Sequence, residues 1–313
     1  MYLGIKRNNY IKIFIIIAIS VVIDNYYIGN IISPPGWDQG YHLSNVFKMF
    51  NIFESSNLTI FNKIDKLLNI TDSYRGPLTY FVSAIFLKIF KNTFHYAYLS
   101  NQLFSIICIL SIFNLGKIFK DASIGIWASI IFTFSSLIIN QRSDYLIDFS
   151  LTSFSTLNLL FLTKWYFDDS KNITYSILSG ISFALVFLTK PTGIVIFFFP
   201  ILMIIFKKFK NKESFFINFQ QILFFIFSFI AIIYPWFSRN WLTIITSTLN
   251  AFKWGINYQD GLEVNTLEGW LYYFKKLPEV FGILNFSIFS IIFIFEKIVI
   301  GNLLNIKIKK INF

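Results

Sequence analysis

Runs of apolar residues long enough to cross a bilayer recur along this chain, and basic residues collect between them. A spanning helix needs about 20 predominantly apolar residues. Eight runs approach that length: Ile11–Ile32, Tyr96–Phe119, Ala122–Asn140, Asp148–Phe167, Ile173–Thr189, Pro191–Phe206, Phe215–Trp236 and Pro278–Val299. In lipid the backbone must satisfy its polar groups within the segment, so each run is expected to be helical. Composition argues against a soluble fold. The 313 residues are 55% hydrophobic and 20% aromatic, with 41 Phe and only 14% charged, against about 25% charged in an ordinary soluble domain. A soluble protein of this length cannot hide so much apolar surface. The expectation is an all-α integral membrane protein: one polytopic helical bundle over residues 1–313, with eight transmembrane helices.

The net charge of +11 points to the bilayer rather than to nucleic acid, because the lysines and arginines lie between apolar runs, as the positive-inside rule requires. The single cysteine, Cys108, excludes an intrachain disulfide, and no CxxC or Cys/His metal spacing is present. The N-terminal stretch has the basic start and apolar run of a signal peptide but no small-residue cleavage site, and reads as an uncleaved first span.

Topology turns on Pro77–Phe90, which is apolar but too short to cross unaided. If it crosses, the lysines of "FKKFKNKE" (Lys207, Lys208, Lys210, Lys212) and of "GKIFKD" (Lys117, Lys120) face outward. If it lies along the interface as an amphipathic helix, they face inward with Lys6, Arg7, Lys307, Lys309 and Lys310; Lys275 and Lys276 run against the rule. The interfacial arrangement is preferred. It leaves outer loops at 33–95, 141–147 and 237–277, the first large and carrying interfacial helices. It also places Asp38, Arg75, Asp148, Lys190 and Arg239 at the outer ends of spans or in outer loops. Ionisable residues at membrane depth are expensive and mark function.

Each of these has an ordinary and a functional reading. Asp38, in "PPGWDQGYHLS", is a solvated loop acid or a proton acceptor. Its neighbours Trp37, Tyr41 and His42 are a sugar-stacking wall or part of an aromatic belt. Arg75, in "DSYRGPLTY", precedes a helix start, where a cation opposes the dipole; it meets lipid headgroups or a bound anion. In "NQRSDYLIDFSLTSF", Asp148 is a helix N-cap or a site acid, and a continuous helix would set it on one face with Asp144. Lys190, in "LTKPTG", has almost no loop around it, and Arg239, in "YPWFSRNW", follows a proline expected to disturb the last turn of its span. Bases at helix ends suit phosphate oxygens.

Taken in order, the acid after the first span, "YRGPLTYF", "DYLIDFSLT", "FALVFLTKPTGIVIFFFP" and "YPWFSRNW" resemble the GT-C glycosyltransferases. The closest group is the bacterial branch of the protein mannosyltransferase and aminoarabinose transferase family (glycosyltransferase family 39-like), and the resemblance runs from about Trp37 to Trp241. It implies an enzyme of the bacterial inner membrane, active on its outer, periplasmic face. Such an enzyme moves a sugar from a polyprenyl-phosphate carrier to a lipid, glycan or protein acceptor. Asp38 matches the family's catalytic carboxylate and Asp148 its second-loop acid. Arg75 and Lys190 match basic positions near the lipid phosphate, with Arg239 a further match. The family often carries Asp-Glu where this chain has Asp38-Gln39. No cofactor is expected, and no metal is required, though a divalent ion is compatible with the family. The family is usually longer, so a truncated or minimal member lacking the C-terminal extension is expected.

Two rivals stand beside this reading. A transporter also places charges in membranes, but near the midplane and at broken helices of internal repeats, and no repeat is present here. An inactive relative serving as an assembly partner is the other.

Overall fold

The computed structural model describes residues 2–291 apart from 71–74, 91–92, 169–171, 211–214, 258–265, 284 and 289. The far end of the expected last span, the loop residues 258–265, Lys212 and the tail lysines Lys307, Lys309 and Lys310 lie outside them, as do the side chains of Lys6 and Arg7. The described chain is helical: α1 (Tyr2–Gly29), α2 (Trp37–Glu54), α3 (Ile60–Leu68), α4 (Leu78–Phe90), α5 (Phe94–Phe119), α6 (Ala122–Phe134), α7 (Ser136–Ser143), α8 (Ile147–Phe167), α9 (Thr174–Thr189), α10 (Ile194–Lys210), α11 (Phe215–Asn257) and α12 (Leu267–Phe281). Two packed units emerge, one of residues 1–133 with 141–259, the other of 134–140 with 260–313. In the second, Asn285 donates through Nδ2 to Phe134 O at 2.8 Å.

Among the described residues four helices are long and apolar enough to cross a membrane by themselves: the α1 stretch from Asn8, α5, α10 with the 3-10 turn before it, and α11. The expected run Ala122–Asn140 is broken at Ser135 into α6 and α7, bent by 59°, and would make a fifth. Large apolar side chains on these helices remain open: Phe14, Val22, Phe199, Phe206 and Phe227 are all more than 60% exposed. A chain that leaves them so is solvated by lipid.

Two expectations are corrected. Pro235 does not end its helix: α11 runs on for 43 residues with Pro235 inside, so most of the expected loop 237–277 is helical. Only one N–H is lost at a proline, and Asn240 Nδ2 reaches back to Trp236 O at 2.8 Å just beyond it. Pro278 is likewise inside α12 rather than at the start of a span. Over the expected Pro77–Phe90, α4 has two apolar sides, of which one stays open at Phe81, Ile85, Ile89 and Phe90. Tyr80, Ala84 and Leu87 of α4 are fully buried in a cluster with Leu43, Val46 and Met49 of α2 and Ala97 and Tyr98 of α5. An interfacial pattern also marks α3, where Ile60, Phe61 and Ile64 are 74%, 84% and 49% exposed and no residue is buried. Its apolar positions fall at one-and-four spacing beside Lys63, Asp65 and Lys66, the signature of a helix lying on a membrane surface.

A polar seam along α5 ties the first unit together. Ser100 meets Ser83 of α4 at 2.7 Å. Asn101 reaches the turn after α7, and Ser105 meets Ser20 of α1 at 3.1 Å. Ser153 of α8 donates to Phe104 O at 2.9 Å. Buried hydroxyls keep partners this way because an unmade bond in the interior costs about 1–3 kcal/mol.

Candidate active site

Helix α2 begins where the sequence suggested a loop. Gly36 is its N-cap and Asp38 sits in its first turn, a favoured place for a carboxylate. Trp37 enters at φ 54°, the left-handed region that a bulky residue adopts only at a cost of about 1–3 kcal/mol. Gly40 lets the first turn press on the preceding prolines: a Cβ there would lie 2.5 Å from Pro35 O. Trp37 is 97% exposed in this arrangement, and the Asp38 side chain 75%.

Asp38 faces Arg75. Oδ1 and Nη2 are 3.9 Å apart, a charge–charge contact longer than a hydrogen bond. The Arg75 guanidinium also stands 5.6 Å from the centre of the Tyr41 ring, within cation–π range. Asp148 faces Lys190 more closely, Nζ donating to Oδ1 at 2.9 Å. Asp148 is not the helix cap: Leu146 holds that position without a side-chain bond, and Asp148 lies in the first turn of α8. Nor does it share a helix face with Asp144, since α8 starts only at Ile147.

Gly76 joins the two pairs. Its N–H donates to Thr189 O at 3.0 Å, so Arg75 and Lys190 follow from adjacent rungs of one backbone contact. The approach is so close that a Cβ on residue 76 would lie 1.9 Å from Leu188 O. A second link comes from α2, where the Gln39 side chain hydrogen-bonds the Asp144 carboxylate. Burial pushes that carboxyl above its usual range, with the Gln39 bond pulling the other way. Below the site, Thr79 of α4 and Ser150 of α8 share a 2.5 Å hydroxyl contact.

Two of the expected residues stand elsewhere. Arg239 is taken up by Asp65 of α3, Nη1 to Oδ1 at 2.6 Å. Beside it Trp236 Nε1 donates to Ile70 O and Asn240 Nδ2 to Leu68 O, so the middle of α11 is a dock for α3. His42 is not part of an exposed wall. It is buried, with Nδ1 2.7 Å from Tyr80 Oη, because residue 42 faces α4 while 38 and 41 face outward. Among the described residues no group of three His, Cys, Asp or Glu could hold a metal ion.

Sequence reasoning passed over Gly76, whose sign was only its place before Pro77. It also passed over Asp24, an acid inside the first apolar run, although charge at that depth is itself a signal.

Residues 74–237, just over half of the chain, match the family described as Dolichyl-phosphate-mannose-protein mannosyltransferase. The chain belongs to that family. The matched stretch holds Arg75, Gly76, Asp148 and Lys190 and ends just before Arg239; Asp38 and Gln39 precede it. The fold of this family member is also that of a solved structure, the crystal structure of ArnT from Cupriavidus metallidurans in the apo state. The TM-score is 0.59 at 12% identity, over 86% of this chain and 48% of that one. The family member is thus a membrane protein of the GT-C helical fold, and it spans about half the length of that relative. No curated protein matches it.

Proposed function

We propose that this chain is a glycosyltransferase that takes a sugar from a polyprenyl-phosphate carrier and passes it to a lipid, glycan or protein acceptor at the outer face of a bacterial inner membrane. The observation that carries the reading is the joining of Asp38–Arg75 to Lys190–Asp148 through the Gly76–Thr189 contact, next to an apolar groove. That groove, of about 340 Å³, runs between α8 and α10, lined by Leu151, Thr152, Ser155, Leu159, Phe197 and Pro200. Thr152 is one turn below Asp148 and donates to its carbonyl at 2.9 Å. Two cations in ion pairs, with an apolar groove one helical turn along α8 from Asp148, suit a donor with a phosphate at one end and a hydrocarbon at the other.

The acceptor hydroxyl attacks the anomeric carbon. The bond to the carrier phosphate breaks and polyprenyl phosphate leaves with the electron pair. Arg75 and Lys190 stand where that negative charge develops, and Asp38, on the exposed side, takes the acceptor's proton. Asp148 holds Lys190. Trp37 and Tyr41 line the exposed approach to Asp38. No step is assigned to a cofactor or a metal ion.

The test is transfer by the purified protein in liposomes, with a panel of undecaprenyl-phosphate sugars and lipid acceptors. Released polyprenyl phosphate and glycosylated product are both measured. Wild type turns over at least one donor, and Asp38→Asn loses about 10²–10⁴-fold in kcat. Arg75→Ala and Lys190→Ala each raise donor KM by about 10–100-fold, as loss of a charged hydrogen bond predicts. An Asp38→Asn variant as fast as wild type removes the catalytic assignment. Solute movement without product restores the transporter, and neither activity restores the assembly partner.

A further inference from the structure

Asp24 and Arg142 form the most buried ion pair among the described residues, 2% and 0% exposed. Arg142 Nε is 3.0 Å from Asp24 Oδ1, and its Nη1 donates to Ser20 Oγ at 2.9 Å, which in turn meets Ser105. The pair is not optimised as a set of hydrogen bonds: both Asp24 oxygens and Arg142 Nε and Nη2 lack one of acceptable geometry. A buried pair of this kind seldom repays its desolvation, and apolar replacement of both partners is often neutral or stabilising. Fold stability is therefore a poor explanation for it.

Its position offers a better one. Asp24 lies just over a turn before α1 ends at Gly29, and from that end the chain leads to Asp38. Arg142 lies in the last turn of α7, and from it the chain leads directly to Asp144 and Asp148. Asn101 of α5 clamps the same turn, donating to Arg142 O at 2.9 Å and Asp144 O at 3.2 Å. Gln102 holds the other stem, donating to Asn25 Oδ1 at 2.7 Å. Both carboxylate-bearing segments thus leave from stems tied to each other by charge and to α5 by amides.

We propose that Asp24 and Arg142 are positioning residues, whose ion pair fixes the register between the segment carrying Asp38 and the turn carrying Asp144 and Asp148. The inference rests on the glycosyl-transfer reading. Direction is what a charged pair adds over an apolar contact of the same volume: an Arg–carboxylate pair tolerates little sliding, whereas leucine against methionine repacks freely.

The experiment compares wild type, the double variant Asp24→Leu/Arg142→Met, and Arg142→Lys in liposomes. The readouts are kcat, donor KM, melting temperature and backbone hydrogen exchange. The double variant keeps the melting temperature and the donor KM, while kcat falls by about 10–100-fold, the loss that a misplacement of about 1 Å produces. Exchange quickens only across residues 142–148. A folded double variant with wild-type kcat overturns the proposal. If the double variant does not fold, Arg142→Lys decides: lower kcat at unchanged donor KM supports it, and wild-type kcat refutes it. If wild type transfers no sugar at all, the function reading fails. Exchange then carries the inference alone, faster and local supporting it, unchanged overturning it.

Discussion

Replacing Gly76 by alanine tests whether the two ion pairs act as one site. An ordinary contact needs about 3.4 Å, and a Cβ on residue 76 would stand 1.9 Å from Leu188 O, so the segment and the α9 end must part by roughly 1.5 Å. The obstacle is backbone, which cannot rotate aside as a side chain can. Parting them breaks the 3.0 Å bond from Gly76 N to Thr189 O, worth about 0.5–1.5 kcal/mol, and overpacking adds about 1–3 kcal/mol. Arg75 moves with residue 76 while Lys190 stays with α9. On the proposed function, two cations that grip one phosphate would then grip it with mismatched geometry, and a displacement of this size costs about 10²-fold. The assay is transfer at varied donor concentration, with melting measured in parallel. Gly76→Ala is expected to lose about 10²-fold in kcat/KM, while remaining folded. Wild-type kcat/KM in a folded Gly76→Ala protein refutes the idea that this contact assembles the site.

Further expectations follow from other contacts. Asp148 and Lys190 are partners at 2.9 Å, so the effects of Asp148→Asn and Lys190→Ala on kcat/KM are non-additive by about 0.5–3 kcal/mol in a double-mutant cycle; strict additivity shows that the two act separately. The Arg239–Asp65 pair is 37% and 59% exposed, so solvent screening limits it to about 0–1 kcal/mol. If Arg239 works by holding α3, Arg239→Ala and Asp65→Ala change donor KM alike, whereas an effect of Arg239→Ala alone indicates direct contact with phosphate. Asp144, raised by burial, binds its proton more tightly folded than unfolded. Stability therefore falls as pH rises from the ordinary carboxylate value through the raised one. Asp144→Asn should melt at or above wild type at neutral pH, with the advantage vanishing in acid; an advantage that grows in acid contradicts this.

The apolar runs made most helices legible. Tyr96–Phe119 became Phe94–Phe119, Asp148–Phe167 became Ile147–Phe167, and Ile173–Thr189 became Thr174–Thr189, because hydropathy and helix ends share one cause in lipid. Pro235 misled because proline is read as a stop, while within a long apolar helix a single missing N–H is tolerated. Helix α4 was legible as a short apolar run, but its buried side was not, because such a run looks the same whether protein or lipid covers it. Helix α3 was readable from Ile60, Phe61, Ile64, Leu67 and Leu68, but its nine residues fell below the length considered. In the site, single residues were visible as charges at apolar boundaries. Their pairing was not, since Asp38 meets Arg75, and Gly76 meets Thr189, only through tertiary packing. The Asp65 partner of Arg239 and the Asp24 partner of Arg142 were hidden for the same reason.

Helix α4 has a consequence for how the chain is made. Its 13 residues reach about 20 Å at 1.5 Å per residue, short of the ~30 Å hydrocarbon thickness. Ser83 and Thr79 find their hydroxyl partners on α5 and α8, which emerge from the ribosome later. A translocon that sorts segments by their own apolarity has no stable place for α4 when it first appears. It must wait at the membrane surface, Arg75 with it, until α5 arrives and then α8. Thr189, which Gly76 needs, comes later still. This end of the first unit therefore closes only after α9 emerges, and a nascent chain stalled before α9 lacks both the Thr189 acceptor of Gly76 and the Lys190 partner of Asp148.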